Sequence, residues 1–258
     1  MIDDSIKIIK KNFKRPVRLL PLGDLHLDAG SNIEHIKSLV SKIEKENLYT
    51  LLIGDIFDIG FYNNVETQQS RDDTLNDSLN LAKELFYPIK DRIFCIVEGN
   101  HDRRINKQTG FSVVKELCED LEVPFVKSQG IISLKLDSKF YGLNRGNIAY
   151  TIAVTHGWGG GRSKGAKINK GVQFAEMWEG VDLFLMGHVH DPMQTYSSRY
   201  RFDSRTGKIV RIDRKIIILP AYQDYMPYAS QMALSPSPYP STIITFENKR
   251  KKIIVSEV

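Results

Sequence analysis

The hydrophobic and polar positions in the first half of the chain follow two alternating patterns. Short apolar runs that end in polar residues predict buried strands at VRLLPLGD (17–24), LYTLLIGD (48–55) and RIFCIVEGN (92–100). Apolar residues recur at helical spacing in SNIEHIKSLVSKIEKEN (31–47), TLNDSLNLAKELFYPIKD (74–91) and GFSVVKELCEDLE (110–122). This alternation of strands and helices is typical of a layered α/β fold.

The second half of the chain is richer in predicted strands. Apolar runs predict them at residues 130–136, 147–157, 181–190, 214–220, 241–247 and 251–258, with one helix near GVQFAEMWEG (171–180). The segment RFDSRTGKIVRID predicts a hairpin that turns at Thr206 and Gly207. Since neither an internal repeat nor a clear linker interrupts the sequence, we predict a single domain over residues 1–258.

Composition narrows the class of protein. A hydrophobic content of 41% and a charged content of 26% are ordinary for a globular protein. No apolar run approaches the roughly 18 residues of a membrane span, and the first residues lack a signal-peptide pattern, which predicts a cytoplasmic protein without a membrane partner. Two cysteines, Cys95 and Cys118, provide neither a disulfide framework nor a cysteine-based zinc site.

Polar side chains of metal-ligand type follow five of the predicted strands. They are Asp24 and His26, Asp55 and Asp58, Asn100 with His101 and Asp102, His156, and His188 with His190. Because ligands bind outside the carboxyl ends of strands in α/β sheets, we expect these five endings to converge. Five of the six histidines lie there, and a glycine next to each ending permits close backbone approach.

The donor types indicate the class of metal. Aspartate, histidine and asparagine without cysteine favour ions such as Mn, Fe or Zn over a closed structural zinc site. Seven candidate ligands are too many for one four-coordinate ion and fit two ions that share a carboxylate. The seven are Asp24, His26, Asp55, Asn100, His156, His188 and His190.

The ordered motifs GDLH, GDIFD, GNHD, THG and GHVH resemble those of the calcineurin-like metallophosphoesterase superfamily, over about residues 17–190. The resemblance implies a four-layered α/β/β/α sandwich of two mixed β-sheets flanked by helices. It also implies two divalent metal ions, with Mn²⁺ expected and Fe, Zn or Ni as alternatives. The implied activity is hydrolysis of phosphate esters by a hydroxide that bridges the ions.

The same resemblance implies a role for each residue of the motifs. Asp24, His26 and His190 would hold the first ion, Asn100, His156 and His188 the second, and Asp55 would bridge them. His101 matches the family's catalytic histidine, which is not a ligand and lies near the scissile group. Asp58 matches the acid that orients this histidine.

Departures from the protein-phosphatase motifs favour the phosphodiesterase and nuclease branch. GDIFDIG has Ile59 where those phosphatases have an arginine, and the chain has GNHD and the double-histidine GHVH. Basic residues near the motifs predict contacts with a phosphoester substrate such as DNA or RNA: Arg103, Arg104, Arg162, Lys164 and Lys167. The last three fall in a predicted flexible glycine-rich loop, and a solvated basic surface is the alternative.

Aromatic residues near the motifs suggest stacking surfaces for bases: Trp158, Tyr222, Tyr225 and Tyr228. Core packing is the alternative for these side chains. Two other functions stay open: a phosphomonoesterase of small molecules or phosphoproteins, and a non-catalytic binding module on the same fold. The intact motifs argue against the binding module.

Overall fold

The computed structural model describes residues 6–27, 31–58, 74–138, 146–161, 163–223 and 240–257. The α-helices in these ranges are α1 (Ile33–Lys45), α2 (Leu75–Phe86), α3 (Asn100–Thr109), α4 (Val113–Leu121) and α5 (Lys164–Glu176), and a 3₁₀ helix covers Tyr87–Arg92. The strands are β1 (Ile6–Phe13), β2 (Val17–Leu19), β3 (Thr50–Ile53), β4 (Ile93–Val97), β5 (Phe125–Val126), β6 (Gln129–Leu136), β7 (Ile148–Thr155), β8 (Leu183–Met186), β9 (Met193–Asp203), β10 (Lys208–Ile218), β11 (Thr242–Phe246) and β12 (Ile253–Glu257).

The strands form two mixed sheets. The first sheet has the order β1-β6-β7-β8-β10-β9, in which β7 and β8 are parallel and β9 and β10 antiparallel. The second sheet consists of two three-stranded parts, β12-β11-β2 and β3-β4-β5. Parallel bridges at Leu19–Tyr49 and Leu22–Leu52 join the two parts.

The two sheets pack face to face, with helices on both outer sides. Successive side chains of a strand point to opposite faces of a sheet. In β3, Ile53 therefore packs between the sheets, whereas Leu52 faces a core shared with α1, α2 and α4. In β8, Leu185 lies between the sheets and Phe184 packs against Phe174 of α5. This arrangement is the four-layered α/β/β/α sandwich that the resemblance implied.

The three helices predicted in the first half are confirmed, and their caps explain where two of them begin. The side chain of Asn32 accepts a hydrogen bond from the backbone N–H of His35, at 3.1 Å. Thr74 and Asp77 form a reciprocal capping box at the start of α2. Among the described residues, no helix combines the length and apolar composition needed to cross a bilayer.

Elements β1, β5 and α3 were not predicted, and one predicted strand is too long. Strand β1 lies at an edge of the first sheet, where Ile9 is buried and Ile8 exposed, so its sequence lacks a clear apolar run. The strand predicted through Asn100 ends at Val97, and Asn100 begins helix α3. GNHD is therefore the first turn of a helix, not the end of a strand.

The predicted glycine-rich loop after His156 is shorter than expected. Helix α5 begins at Lys164 rather than near Gly171, because the Ser163 side chain accepts a hydrogen bond from the N–H of Ala166. Lys164 and Lys167 therefore lie on a helix and not in a flexible loop.

Candidate metal centre

The five polar strand endings meet at one end of the sandwich, as the motifs predicted. Each functional side chain follows the carboxyl end of a strand or its extension. Asp55 follows β3, His156 follows β7, and His188 follows β8. The backbone N–H groups of Asp24 and His26 donate to the carbonyl oxygens of Gly54 and Asp55, which joins the first two endings.

One group of side chains contains Asp24, His26, Asp55 and His190, with one ligand atom from each within 4.8 Å of the others. The Nε2 atoms of His26 and His190 face each other at 3.4 Å. The His190 Nε2 atom is also 3.1 Å from Asp24 Oδ1. Three of these four side chains are buried, and His190 is half-buried.

A second group contains Asp55, His156 and His188. The Nε2 atom of His156 lies 3.1 Å from Asp55 Oδ2, 3.3 Å from His188 Nδ1 and 2.9 Å from Asn100 Oδ1. Asp55 belongs to both groups, which is the position expected for a carboxylate shared by two ions. All seven candidate ligands therefore lie together.

The donors in both groups fit cations. Asp55 Oδ2 and His26 Nδ1 are buried, and the polar atoms next to them are other candidate site groups, His156 Nε2 at 3.1 Å and Asp58 Oδ2 at 3.3 Å. Imidazole nitrogens also face each other in each group, at 3.4 and 3.3 Å, and two such nitrogens can both donate a lone pair to one cation. Oxygen and imidazole donors without cysteine suit Mn, Fe, Zn or similar divalent ions.

The backbone of the ligand loops is in an unusual conformation. Five candidate ligands have a positive φ angle: Asp24 (51°), His26 (47°), Asp55 (47°), His188 (70°) and His190 (53°). For residues other than glycine this left-handed conformation is uncommon, and it clusters at functional sites. The fold thus holds the backbone of these residues in an uncommon conformation that directs their side chains toward the centre.

Glycines beside the ligands provide room that a side chain would remove. A Cβ atom on Gly99 would clash with the Asp55 carboxylate, and one on Gly187 would clash with the carboxylate of Asp24. The predicted role of these glycines, close approach of the backbone to the site, is confirmed at both positions.

His101 and Asp58 lie beside these two groups and form a third group of possible metal ligands with His26. His101 Nδ1 lies 2.5 Å from Asp58 Oδ1, and its Nε2 atom lies 3.9 Å from Asp55 Oδ2. Burial alone would raise the pKa of Asp58, but its hydrogen bonds with His101 and His26 and their charges hold the pKa well below its usual range. Asp58 is therefore a carboxylate, and His101 donates its Nδ1–H to it.

Sequence reasoning missed the structural role of Asp102, the last residue of GNHD. Its buried carboxylate accepts hydrogen bonds from the backbone N–H groups of Gly99 (2.8 Å) and Phe57 (3.0 Å). These bonds fix the first turn of α3 to the loop that carries Asp55. The signal was available in the sequence, because an acidic residue three positions after Gly99 is typical of a helix N-terminus.

The charges at the centre shift the pKa values of its buried groups. Burial and the neighbouring charge of Asp55 raise the pKa of Asp102 to about 7. Burial alone would lower the pKa of His156, but its contact with Asp55 and the charges of Asp24 and Asp55 raise it to about 9. An excess of negative charge around His156 is the environment that a divalent cation requires.

The predicted substrate-binding residues differ in position. Arg104 Nη2 is 3.5 Å from His101 Nε2, so this arginine borders the histidine that the motifs predict to be catalytic. Arg103 instead contacts Glu98, with Nε 3.5 Å from Oε2. Lys167 pairs with Asp191 (3.3 Å), Lys164 is exposed on α5, and Arg162 lies outside the described residues.

The predicted stacking residues are only partly exposed. Tyr222 is fully buried, with its hydroxyl 3.3 Å from Ser241 Oγ, so it is a core residue and the prediction was wrong for it. Trp158 is 37% exposed and contacts Phe174 edge to face. Tyr225 and Tyr228 lie outside the described residues.

The model of the calcineurin-like phosphoesterase family matches residues 17–192, which is more than half of the chain. The chain belongs to this family. The match covers every motif residue of the centre and ends two residues after His190. Membership in the calcineurin-like phosphoesterases supports hydrolysis of phosphate esters, and the two groups of candidate ligands suit the divalent metals typical of this family.

Comparison with solved structures gives similar folds at low sequence identity. Vacuolar protein sorting 29 from Cryptosporidium parvum is 15% identical, with a TM-score of 0.41 over 95% of this chain and 99% of that chain. GAP50, described as the anchor in the inner membrane complex of Plasmodium, is 13% identical, with a TM-score of 0.45 over 95% and 85%. Vps29 from Chaetomium thermophilum is 10% identical, with a TM-score of 0.40 over 94% and 95%. A search of curated proteins found no match.

Proposed function

We propose that this calcineurin-like phosphoesterase is a phosphodiesterase that acts on nucleic acid or nucleotides and uses two divalent ions, with Mn²⁺ as the expected metal. Asp24, His26 and His190 would hold one ion, Asn100, His156 and His188 the other, and Asp55 both. When bound, the ions would acidify the attacking water and neutralise charge on the phosphate. The observation that carries the proposal is the oriented pair of His101 and Asp58 beside the shared carboxylate of Asp55.

The residues of the chain divide the remaining work. Asp58 fixes the His101 ring by accepting a hydrogen bond from its Nδ1–H, which leaves Nε2 directed toward the centre. The charges of Asp55 and the hydrogen bond to Asp58 outweigh burial and raise the pKa of His101, so it can carry a proton at Nε2. In this role His101 donates that proton to the leaving oxygen, and Arg104 binds a phosphate oxygen next to it.

Two features support a diester over a monoester as the substrate. The position after Asp58 is Ile59, so the loop lacks the arginine that binds phosphate in the protein-phosphatase motif. The cation next to His101 is instead Arg104, which is exposed at the start of α3. A single arginine at the edge of the site can bind a chain that continues past the scissile phosphate.

A substrate panel tests the proposal. The purified protein is loaded with Mn²⁺ and assayed on an aryl phosphomonoester, an aryl phosphodiester, and single- and double-stranded DNA and RNA. We expect hydrolysis of the diester and of at least one polymer, and its loss in the Asp55→Asn variant. Faster turnover of the monoester than of every diester would overturn the diester assignment. If no ester in the panel is hydrolysed, the assignment of this protein as an enzyme is wrong.

A further inference from the structure

Strands β9 and β10 form a long hairpin at the edge of the first sheet. They pair antiparallel over their whole length, from Ile218 with Met193 to Lys208 with Asp203. Only the last four residues of β10, Lys215–Ile218, pair with β8. The outer part of the hairpin therefore extends beyond the sheet.

The hairpin holds the excess charge of the protein. Residues 193–218 contain seven basic side chains, Arg199, Arg201, Arg205, Lys208, Arg211, Arg214 and Lys215, and two acidic ones, Asp203 and Asp213. Seven minus two gives a net charge of +5, which equals the formal net charge of the whole chain. The rest of the sequence is balanced, so the basic character is a property of the hairpin.

Exposed aromatic rings lie on one face of the hairpin, and Arg211 and Lys215 are the strand cations on that face. Tyr196, Tyr200 and Phe202 are 63%, 78% and 66% exposed, and their positions on alternate residues of β9 place them on one face. Tyr200 pairs across the strands with Arg211, and the Lys215 Nζ atom lies 4.3 Å above the ring of Tyr196. Large exposed rings on a flat ribbon cost free energy in water and need a partner to cover them.

The same face continues into a cleft at the root of the hairpin. The cleft has a volume of about 390 Å³, and four basic and two acidic side chains line it, Arg211, Lys215, Lys251, Lys252, Asp182 and Asp213. Arg211 forms an ion pair with Asp213 (2.7 Å), and Lys251 forms one with Asp182 (2.7 Å). Lys215 and Lys252 remain as the excess positive charge of the cleft.

The root of the hairpin is anchored to the body of the protein. Arg214 is buried, and its guanidinium donates to the Ala175 carbonyl oxygen (2.8 Å) at the end of α5 and to Ser197 Oγ (2.9 Å). It also lies 5.7 Å from the centroid of the Phe184 ring. An anchored ribbon presents its rings and cations in a fixed arrangement, which lowers the entropic cost of binding.

We propose that this hairpin face is a binding surface for single-stranded nucleic acid, separate from the metal centre. Bases stack on Tyr196, Tyr200 and Phe202, and the phosphate backbone contacts Arg211, Lys215 and Lys252, which lie on the same face. Stacking rings interleaved with cations are the arrangement that binds single strands without sequence preference. A polyanion also supplies the charge complementary to the excess positive charge that Lys215 and Lys252 give the cleft.

Two other partners fit the hairpin less well. A second copy of the chain that paired along β9, the outer strand of the sheet, would bring like charges together at Arg199 and Arg201. A membrane would require an apolar tip, whereas the tip from Asp203 to Lys208 is polar and charged.

The outer part of the hairpin and the metal centre lie at opposite ends of the first sheet. Ile218, the last residue of β10, pairs with Met186, just before the His188 loop. Lys208, the first residue of β10, is at the other end of the strand. Ten residues of strand span roughly 30 Å. The hairpin would therefore hold a polymer at a distance from the scissile phosphate, and its binding does not depend on hydrolysis.

The test measures binding without metal, so its outcome is independent of the proposed activity. Fluorescence anisotropy follows a labelled single-stranded DNA of about twenty nucleotides, in EDTA and at several salt concentrations. Two double variants change the ring face and its cleft: Tyr200→Ala/Phe202→Ala removes rings, and Lys215→Ala/Lys252→Ala removes the excess charge of the cleft. The control Tyr87→Ala/Lys90→Ala removes an exposed ring and its cation, 5.0 Å away, from the helical layer on the second sheet.

We expect each hairpin variant to weaken binding at least tenfold and the control to bind like the wild type. The charge variant should also lower the slope of log affinity against log salt by about one unit, while the ring variant leaves the slope unchanged. Hydrolysis of bis-nitrophenyl phosphate should not change in either variant. Wild-type affinity in both hairpin variants, or no binding by the wild type, would overturn the proposal. The proposal would also be wrong if the hairpin variants bind DNA like the wild type but lose self-association, measured by light scattering, or lose binding to anionic vesicles.

Discussion

The Nδ1 atom of His101 lies 2.5 Å from Oδ1 of Asp58, and both residues are about one-fifth exposed. This contact joins two segments 43 residues apart in the sequence, the loop after β3 and the first turn of α3. It fixes the tautomer and direction of the imidazole while keeping its other nitrogen accessible. An imidazole held in this way is suited to the proton transfer that we propose for it.

Replacing His101 by alanine should slow hydrolysis without removing metal. A general acid contributes roughly 10²–10⁴-fold to the rate, so we expect a loss in that range with an alkyl or nucleoside leaving group. The loss should be smaller with nitrophenolate, which leaves without a proton. Kinetics on both substrates and metal analysis measure these effects. Metal loss in His101→Ala would show that His101 is a ligand, and equal rate loss on both substrates would favour charge stabilisation.

Asp55→Asn should remove both ions, because the Asp55 carboxylate is the group shared by the two sets of ligands. The amide has one oxygen donor fewer and no charge. We expect a large fall in bound metal and loss of hydrolysis, with a folded chain by circular dichroism. Asp91→Asn, on the exposed 3₁₀ helix, is the control and should keep both metal and activity. Full metal content together with full activity in Asp55→Asn would contradict the assignment of two ions.

Gly187→Ala tests whether the close contact between the backbone at Gly187 and the Asp24 carboxylate positions this candidate metal ligand. The added methyl group would clash with the carboxylate of Asp24, which accepts the N–H of His188 at 2.9 Å. We expect weaker metal binding and a loss of stability of about 1–3 kcal/mol, the usual cost of overpacking. Gly165→Ala is the control, because a Cβ atom there meets nothing within 4 Å. Thermal unfolding and metal titration compare the two variants.

The sequence predicts the centre well because its signal is local. Each ligand follows an apolar strand, so residues such as Asp55 and His188 can be placed at a sheet edge without knowledge of the tertiary fold. Helix α3 has few apolar residues, with Asp102 and Ile105 as its only buried residues, so the acidic residue after Gly99 was its only sequence signal. Its place is fixed by hydrogen bonds of Asp102 to a distant loop, which depend on the folded chain.

The sequence also does not predict the contacts that orient the candidate ligands. His188 directs Nδ1 toward His156 and its Nε2 toward the carbonyl oxygen of Gly159, 2.6 Å away. The sequence shows a glycine-rich segment near a histidine but not that Gly159 orients a ring 29 residues later. Similarly, two consecutive arginines look equivalent in the sequence, although the helix turns Arg103 to Glu98 and Arg104 to His101.

This difference between neighbouring arginines gives a matched pair of variants. Arg104→Ala should lower kcat/KM for the diester roughly 10–100-fold, the equivalent of about 1.5–3 kcal/mol for a hydrogen bond to a charged group. Stability and metal content should stay unchanged, because Arg104 is exposed. Arg103→Ala should instead destabilise the fold, since the buried Glu98 loses its cationic partner and burial already raises the pKa of Glu98. Its kcat/KM should change little. Steady-state kinetics and thermal unfolding separate the two effects, and equal kcat/KM losses in both variants would show that the two arginines share one substrate-binding role.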